Sequence, residues 1–271
     1  MPHLARLSRP VLFLGVSVLA GCAVVPEDAK PQVRFGLELA DTYVHRGMPQ
    51  NTRGVLQGTM DLTLPTENGQ VLQIGTFANL DLASSTGDAW MPDGHGGRVT
   101  ETDLSVTYAH SFENGLDLAA GLQNYTLPNG ESFPNGPREQ TNELFVHLQT
   151  ELLGTRPELQ IRHDVDQANG TYLRLGVSEP FELGEKLVLR LSSHIGRSSQ
   201  SQSFWNYGLR ANGLADLQGR AALEYAWDDR TVIGASLNGS TIVDDGLSDW
   251  FDIIGIDTEH VWVTAFVSWT L

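Results

Sequence analysis

The sequence predicts an all-β fold, an up-and-down antiparallel transmembrane β-barrel of about twelve strands. Two observations carry this. Beyond residue 32 nearly every segment alternates apolar and polar residues with period two, the pattern of a half-buried strand, and no long helical period appears. The segments are joined alternately by short turns (TENGQ, ENG, LGTRP, ELGE) and by longer polar loops, the longest near 83–100, 127–138 and 241–258. That arrangement is a meander. No motif recurs at a fixed period, so it is not a solenoid.

Taken in order, QVRFGLELA puts Val33, Phe35, Leu37 and Leu39 on one face and Arg34, Gly36 and Glu38 on the other. LQGTMDLTL sets Leu56, Met60, Leu62 and Leu64 against Gln57, Thr59, Asp61 and Thr63, and VLQIGTFANLDL continues the alternation to Leu82. Further segments follow at 101–112, 116–125, 139–150, 158–165, 171–178, 186–195, 204–212, 219–227, 231–239 and 260–271. These make thirteen, whereas single-chain bacterial barrels normally have an even number. Either WFDII (250–254) adds a strand or two segments between 204 and 227 are one; the range is twelve to fourteen, with twelve favoured.

Alternation does not say which face is inside. About eight strands is the width that side chains fill, so a leucine-filled barrel of twelve would pack poorly. The polar face mixes glycines with charges, which suits an aqueous interior. The chain ends VWVTAFVSWTL, with Val263, Ala265, Val267, Trp269 and Leu271 on alternate positions. This resembles the C-terminal signal read by the barrel-assembly machinery, although the last residue is Leu rather than Phe. The leucines are therefore expected to face outer-membrane lipid.

The first 21 residues read as a signal peptide, with a basic start and an apolar run from Val11 to Ala20 that is too short to span a bilayer as a helix. The sequence Leu19-Ala20-Gly21-Cys22 resembles a bacterial lipobox and contains the only cysteine of the chain. Cys22 is thus the expected lipidation site, residues 22–32 a tether and residues 33–271 the barrel. A ten-residue tether reaches roughly 30 Å, enough to join the inner leaflet to a first strand. Outer-membrane localisation with a periplasmic, lipid-anchored N-terminus follows. Removal of residues 1–21 takes away Arg6 and Arg9 and no acid, leaving 15 basic and 33 acidic residues, a formal charge of −18. Such a surface repels nucleic acid.

On this register the interior is lined in the first half by acids (Glu38, Asp61, Asp81, Glu101, Asp103, Asp117, Glu143) and in the second by Arg162, Arg174, Arg190, Arg210 and Arg220, with Asp164 and Glu224 against them. Two such walls facing each other would set up a transverse field that orients small polar solutes. Alternatively the charges pair and plug the barrel. Phe77, Phe145, Tyr172, Trp262 and Phe266 share the inward face. The histidines show no metal-ligand spacing, and no cofactor motif is present. His163 lies on the lipid face, where a barrel hydrolase would keep its catalytic pair, but no serine shares that face convincingly, so no enzyme is expected. DDGLSDWFD and GDAWMPDGHGG lack EF-hand calcium spacing and read as surface loops.

LADTYVHRGMPQ (39–50) resembles the opening of the TorF-like family of proposed outer-membrane porins, in which a first strand ends in a Ser-Asp-Tyr-Val-Phe-Arg-Gly-x-Ser-Gln-like run. Asp41, Tyr43, Val44, Arg46, Gly47 and Gln50 match, while Thr42, His45 and Pro49 do not. The resemblance implies an outer-membrane barrel with a pore function and no catalytic residues. The sequence is therefore read as a porin-like barrel for passive passage of small polar solutes. The alternatives are a plugged structural or surface-interaction barrel and a periplasmic β-rich lipoprotein that never inserts.

Overall fold

The computed structural model describes residues 30–66, 70–84, 96–128 and 140–271. The lipobox with Cys22, and most of GDAWMPDGHGG, lie outside the described residues. Strand β1 (Gln32–Ala40) opens the chain and is followed by a small hairpin, β2 (Tyr43–His45) with β3 (Met48–Asn51). The wall continues through β4 (Val55–Pro65), β5 (Gln70–Asp81), β6 (Arg98–Ser111), β7 (Leu116–Thr126), β8 (Gln140–Thr150), β9 (Arg156–Asp164), β10 (Thr171–Glu182) and β11 (Leu187–Ser198). Helix α1 (Gln200–Tyr207) precedes β12 (Gly213–Ala226) and β13 (Thr231–Ile242); helix α2 (Asp245–Ile254) precedes β14 (Glu259–Thr270).

Twelve of these strands form one closed antiparallel barrel in which β1 pairs with both β4 and β14, while β2 and β3 pair only with each other. Closure leaves no wall strand with a free edge. The Leu271 N–H reaches the Val33 carbonyl at 2.8 Å, so both ends of the wall lie at the short-turn end.

The leucine face points outward. Leu39, Leu144, Leu175, Leu237 and Val263 are each about half exposed, while Glu38, Glu143, Asn238 and Thr264, one position away, are buried. The outward face also carries aromatics near the short-turn end. Phe35 stacks on Trp269 with ring centroids 5.3 Å apart, and Tyr108, Phe181, Tyr225 and Trp227 are exposed. An apolar band edged by amphipathic rings is what a bilayer interface selects.

Two sequence expectations change. Residues 204–212 are not a strand: 200–207 form α1, started by the Ser199 cap (which accepts from the Gln202 N–H) and stopped by Gly208 in a left-handed conformation. This removes the thirteenth strand and leaves twelve. WFDII and nearly all of DDGLSDWFD, expected as a surface loop, form α2, and Asp244, the first of that segment's four acids, caps the helix by accepting from the Leu247 N–H. Both helices sit at the long-loop end, where Tyr207, Leu247, Phe251 and Ile256 pack with Met48, Ala215 and Ile242 into an apolar cap.

The outward register makes a direct prediction. Arg near the midplane on the lipid face of a barrel costs roughly 2–4 kcal/mol. Leu175→Arg and Leu237→Arg should each lose at least that much folding stability in denaturant titration of vesicle-inserted protein. Gln218→Arg, which points inward beside Asp216, should lose less than about 1 kcal/mol.

Candidate functional site: the interior and its inserted hairpin

The β2–β3 hairpin folds into the long-loop end of the barrel. Arg46 and Gly47 at its tip both have positive φ (51° and 79°), the two-residue turn that matches strand twist. A Cβ on Gly47 would lie 2.6 Å from the Asp216 Cβ on β12, so the tip can approach that strand only with glycine there. Pro49 is tolerated in β3 because this strand pairs on one side only.

The hairpin is held by contacts that reach around the wall. The Tyr43 hydroxyl donates to Glu101 Oε2 at 2.7 Å. Arg46 Nη2 donates to both Glu143 oxygens at 2.8 and 2.7 Å, and its guanidinium lies 4.6 Å from the centroid of the Tyr172 ring. The Tyr207 hydroxyl of α1 donates to the Arg46 carbonyl at 2.8 Å. With its amide nitrogen turned toward the Gly170 carbonyl, Gln202 accepts from Arg46 Nη1 at 2.9 Å. Below, Arg162 Nη1 donates to Gln123 (2.8 Å), the Tyr125 hydroxyl (2.9 Å) and Glu143 (3.3 Å). Glu143 is therefore shared by two arginines and the Tyr125 hydroxyl.

The side chains of Glu38, Asp61, Asp81, Asp103, Asp117, Glu143, Arg162, Arg174 and Arg190 all occupy the inward face of their strands. Arg210 does not. It follows α1 in the loop before β12, is exposed, and stacks on the Phe204 ring 5.0 Å away. The expected confrontation of an acidic wall with a basic wall is also replaced by local pairing. Arg174 meets Glu158 on the next strand at 2.9 Å, and Arg190 meets Glu224 at 2.9 Å. Arg34 faces Asp61 in register on the adjacent strand; Arg220 on β12 is the exception, approaching Glu38 on β1, three strands away, at 3.6 Å. Cross-strand neighbours are the nearest partners a barrel offers, and a buried charge takes the nearest.

The two ends of the interior differ. At the long-loop end six acids are buried (Asp81, Glu101, Asp103, Glu143, Asp164 and Asp216), and the buried arginines there are Arg46 and Arg162. Asp164 caps its own loop by accepting from the backbone N–H groups of Asp166, Ala168 and Asn169. Asp216 accepts from Tyr172 and Gln218, and a Cβ on Gly196 would collide with that Tyr172 hydroxyl. Toward the short turns, Arg34, Asp61, Glu158, Arg174, His194 and Arg220 are partly buried, beside the fully buried His147, Gln149, Arg190 and Glu224.

On the outer wall His163 does have a hydroxyl neighbour. Its Nδ1 lies 2.9 Å from Thr171 Oγ1, and both belong to a row of polar outward residues with Asn124, Thr126 and Asn142 at the rim of the apolar band.

No protein-family model and no curated protein matches the sequence. Solved structures do match in shape. An outer-membrane channel from Pseudomonas putida F1 superposes with a TM-score of 0.58 at 10% identity, covering 92% of this chain and 98% of that one. The chain thus shares the closed antiparallel barrel fold of that outer-membrane channel. The KdgM porin (TM-score 0.47, 9% identity, 88% of this chain and 98% of that one) and phospholipase A from Escherichia coli (0.46, 13%, 88% and 92%) are also similar, more distantly. At such identities the likeness extends to the fold alone.

The hairpin carries a titratable group. Burial, reinforced by the adjacent Arg46 charge, holds the His45 imidazole down to about 3 from its ordinary 6.5, with Glu143 opposing and Arg162 adding to the shift. A docked histidine with a lowered pKa stays neutral, so docking loses free energy as pH falls below 6.5 and the undocked form takes up a proton. Between pH 7 and 5 this amounts to about 2 kcal/mol. A thiol introduced by Met48→Cys should thus react faster with a maleimide at pH 5 than the ordinary pH dependence of thiol reactivity allows. His45→Gln in the same background should remove that excess.

Proposed function

We infer that this chain is an outer-membrane porin-like barrel for passive passage of small polar solutes, closed at the long-loop end while its β2–β3 hairpin is docked. The observation that carries this reading is the division of labour inside the barrel. The wall presents a polar interior on all twelve strands, yet the element that fills its long-loop end is a loop hairpin with no ladder hydrogen bonds to the wall. A twelve-strand wall is wider than the roughly eight strands that side chains just fill, which in this reading leaves room for a polar passage beyond the hairpin. Withdrawal of these nine residues would clear the centre of the long-loop end without altering a wall strand, with α1 and α2 remaining at its edge.

In this reading the short-turn end faces the periplasm, and Cys22 is lipidated in the inner leaflet beside it. The terminal strand is what the assembly machinery reads. The protein is not an enzyme and takes no cofactor. The competing reading, a permanently plugged barrel, draws support from the buried Arg46–Glu143 pair, whose side chains are 7% and 3% exposed.

Planar-bilayer recording separates the two. Wild-type protein should be mostly closed, whereas replacement of Tyr43–Asn51 by a short Gly-Ser link should give steady ohmic conductance. A replacement variant that still migrates as a heat-modifiable barrel but remains silent would leave the plugged reading. For the anchor, Cys22→Ala should abolish palmitate labelling in cells; persistence of the label would remove Cys22 from the account.

A further inference from the structure

The docking site of Arg46 has the composition of a binding site for a free organic cation. Glu143 presents both carboxylate oxygens to one side of the guanidinium, the face of Tyr172 lies 4.6 Å from it, and the Gln202 amide oxygen accepts at 2.9 Å from the other nitrogen. Carboxylate, aromatic face and amide oxygen together are what a planar, weakly hydrated cation selects, and a guanidinium fits them better than a compact ammonium.

A second and independent observation is the charge around the site. Glu101 and Asp103 lie on the same end of the interior; Glu101 accepts from the Tyr43 hydroxyl, Asp103 from the Gln123 amide, and the two carboxyls hydrogen-bond each other, so the pair holds a shared proton and one net negative charge. Both carboxyls are buried, Glu101 at 7% and Asp103 at 8% exposed. If Arg46 leaves, Arg162 is the one buried arginine remaining near these carboxylates. A buried carboxylate stripped of a cation is strongly unfavourable, so the vacated site demands another positive charge. Arg46 belongs to a hairpin that pairs with no wall strand, so it can leave the site without unfolding the barrel.

The geometry points to a solute site at Glu143, Tyr172 and Gln202 for guanidinium-bearing small molecules, in which Arg46 is a tethered stand-in for the ligand. A guanidinium solute that reaches the site from the long-loop side displaces Arg46 and so holds the hairpin undocked. The ligand thereby favours the form through which it would pass. This rests on the reading of the hairpin as a movable closure, but binding itself is measurable whether or not the barrel conducts.

Agmatine is a suitable probe, with tetramethylammonium as a cation that cannot form the paired hydrogen bonds. Isothermal titration of the detergent-solubilised full chain should show agmatine binding to Arg46→Ala at least about tenfold tighter than to wild type, because the internal competitor is gone. Tetramethylammonium should bind both weakly. Adding Glu143→Gln or Tyr172→Leu to Arg46→Ala should each weaken agmatine at least about tenfold, with heat-modifiable migration establishing that each barrel is folded. In parallel, agmatine should speed maleimide labelling of Met48→Cys in the otherwise unaltered chain, a readout that needs none of the charge variants to fold. Equal agmatine affinity in Arg46→Ala and wild type would overturn the site, as would labelling of Met48→Cys that agmatine leaves unchanged. Agmatine binding and accelerated labelling in a barrel whose hairpin replacement is electrically silent would keep the site and discard the passage.

Discussion

Glu143 is the residue on which the closed end of this barrel depends. It lies on β8, four strands or a third of a turn round the wall from β4, and it accepts from Arg46, Arg162 and Tyr125 at once. In a low-dielectric interior such a shared carboxylate is stable only while both cations remain. The need for that interaction comes from width. A wall of twelve strands leaves a central space that its inward side chains do not span, and a polar lining forbids filling that space with leucine. A hairpin brought in from a loop, carrying its own arginine and tyrosine, meets both constraints.

The same constraint explains why the remaining charges pair along the wall. Arg174 with Glu158 and Arg190 with Glu224 lie on adjacent strands, so each pair closes without spanning the lumen. The lower interior is thus lined by paired charges, while the upper end carries an excess of acid that Arg162 and the inserted Arg46 offset in part. The outer surface follows a different rule, set by the solvent. Apolar residues form the band, stacked and exposed aromatics mark the edge near the short turns, and amides and hydroxyls mark the opposite rim.

Much of the wall was legible in the sequence, because period-two alternation assigns strand and face together. Leu175 and Arg174, or Leu144 and Glu143, cannot both be misplaced without slipping a whole strand. The interior plug was not legible. YVH and MPQN are too short to show any period, and the hints they carry, a turn glycine after Arg46 and a proline in β3, mark a hairpin without saying where it points. The segment 204–212 failed differently. Its alternation is incidental, and the informative signals were Ser199 and Gly208 at the two ends of α1, as Asp244 and Gly255 are for α2. That misreading alone placed Arg210 inside. Pairing could not be read either, since Arg46 and Glu143 are separated by 97 positions and meet only after the wall has curved through half its strands.

This separation has a consequence for assembly. Wall strands join their sequence neighbours through turns, so most of the barrel can form by local steps in chain order. The hairpin belongs to the N-terminal segment, yet its anchors are on β6, β8, β10, α1 and β12, and the Tyr207 contact spans 161 positions. It cannot reach its seat until those strands have curved round to meet it. Seating of the hairpin is therefore a late event, and a newly inserted barrel passes through an interval in which its wall is formed and its mouth is still open.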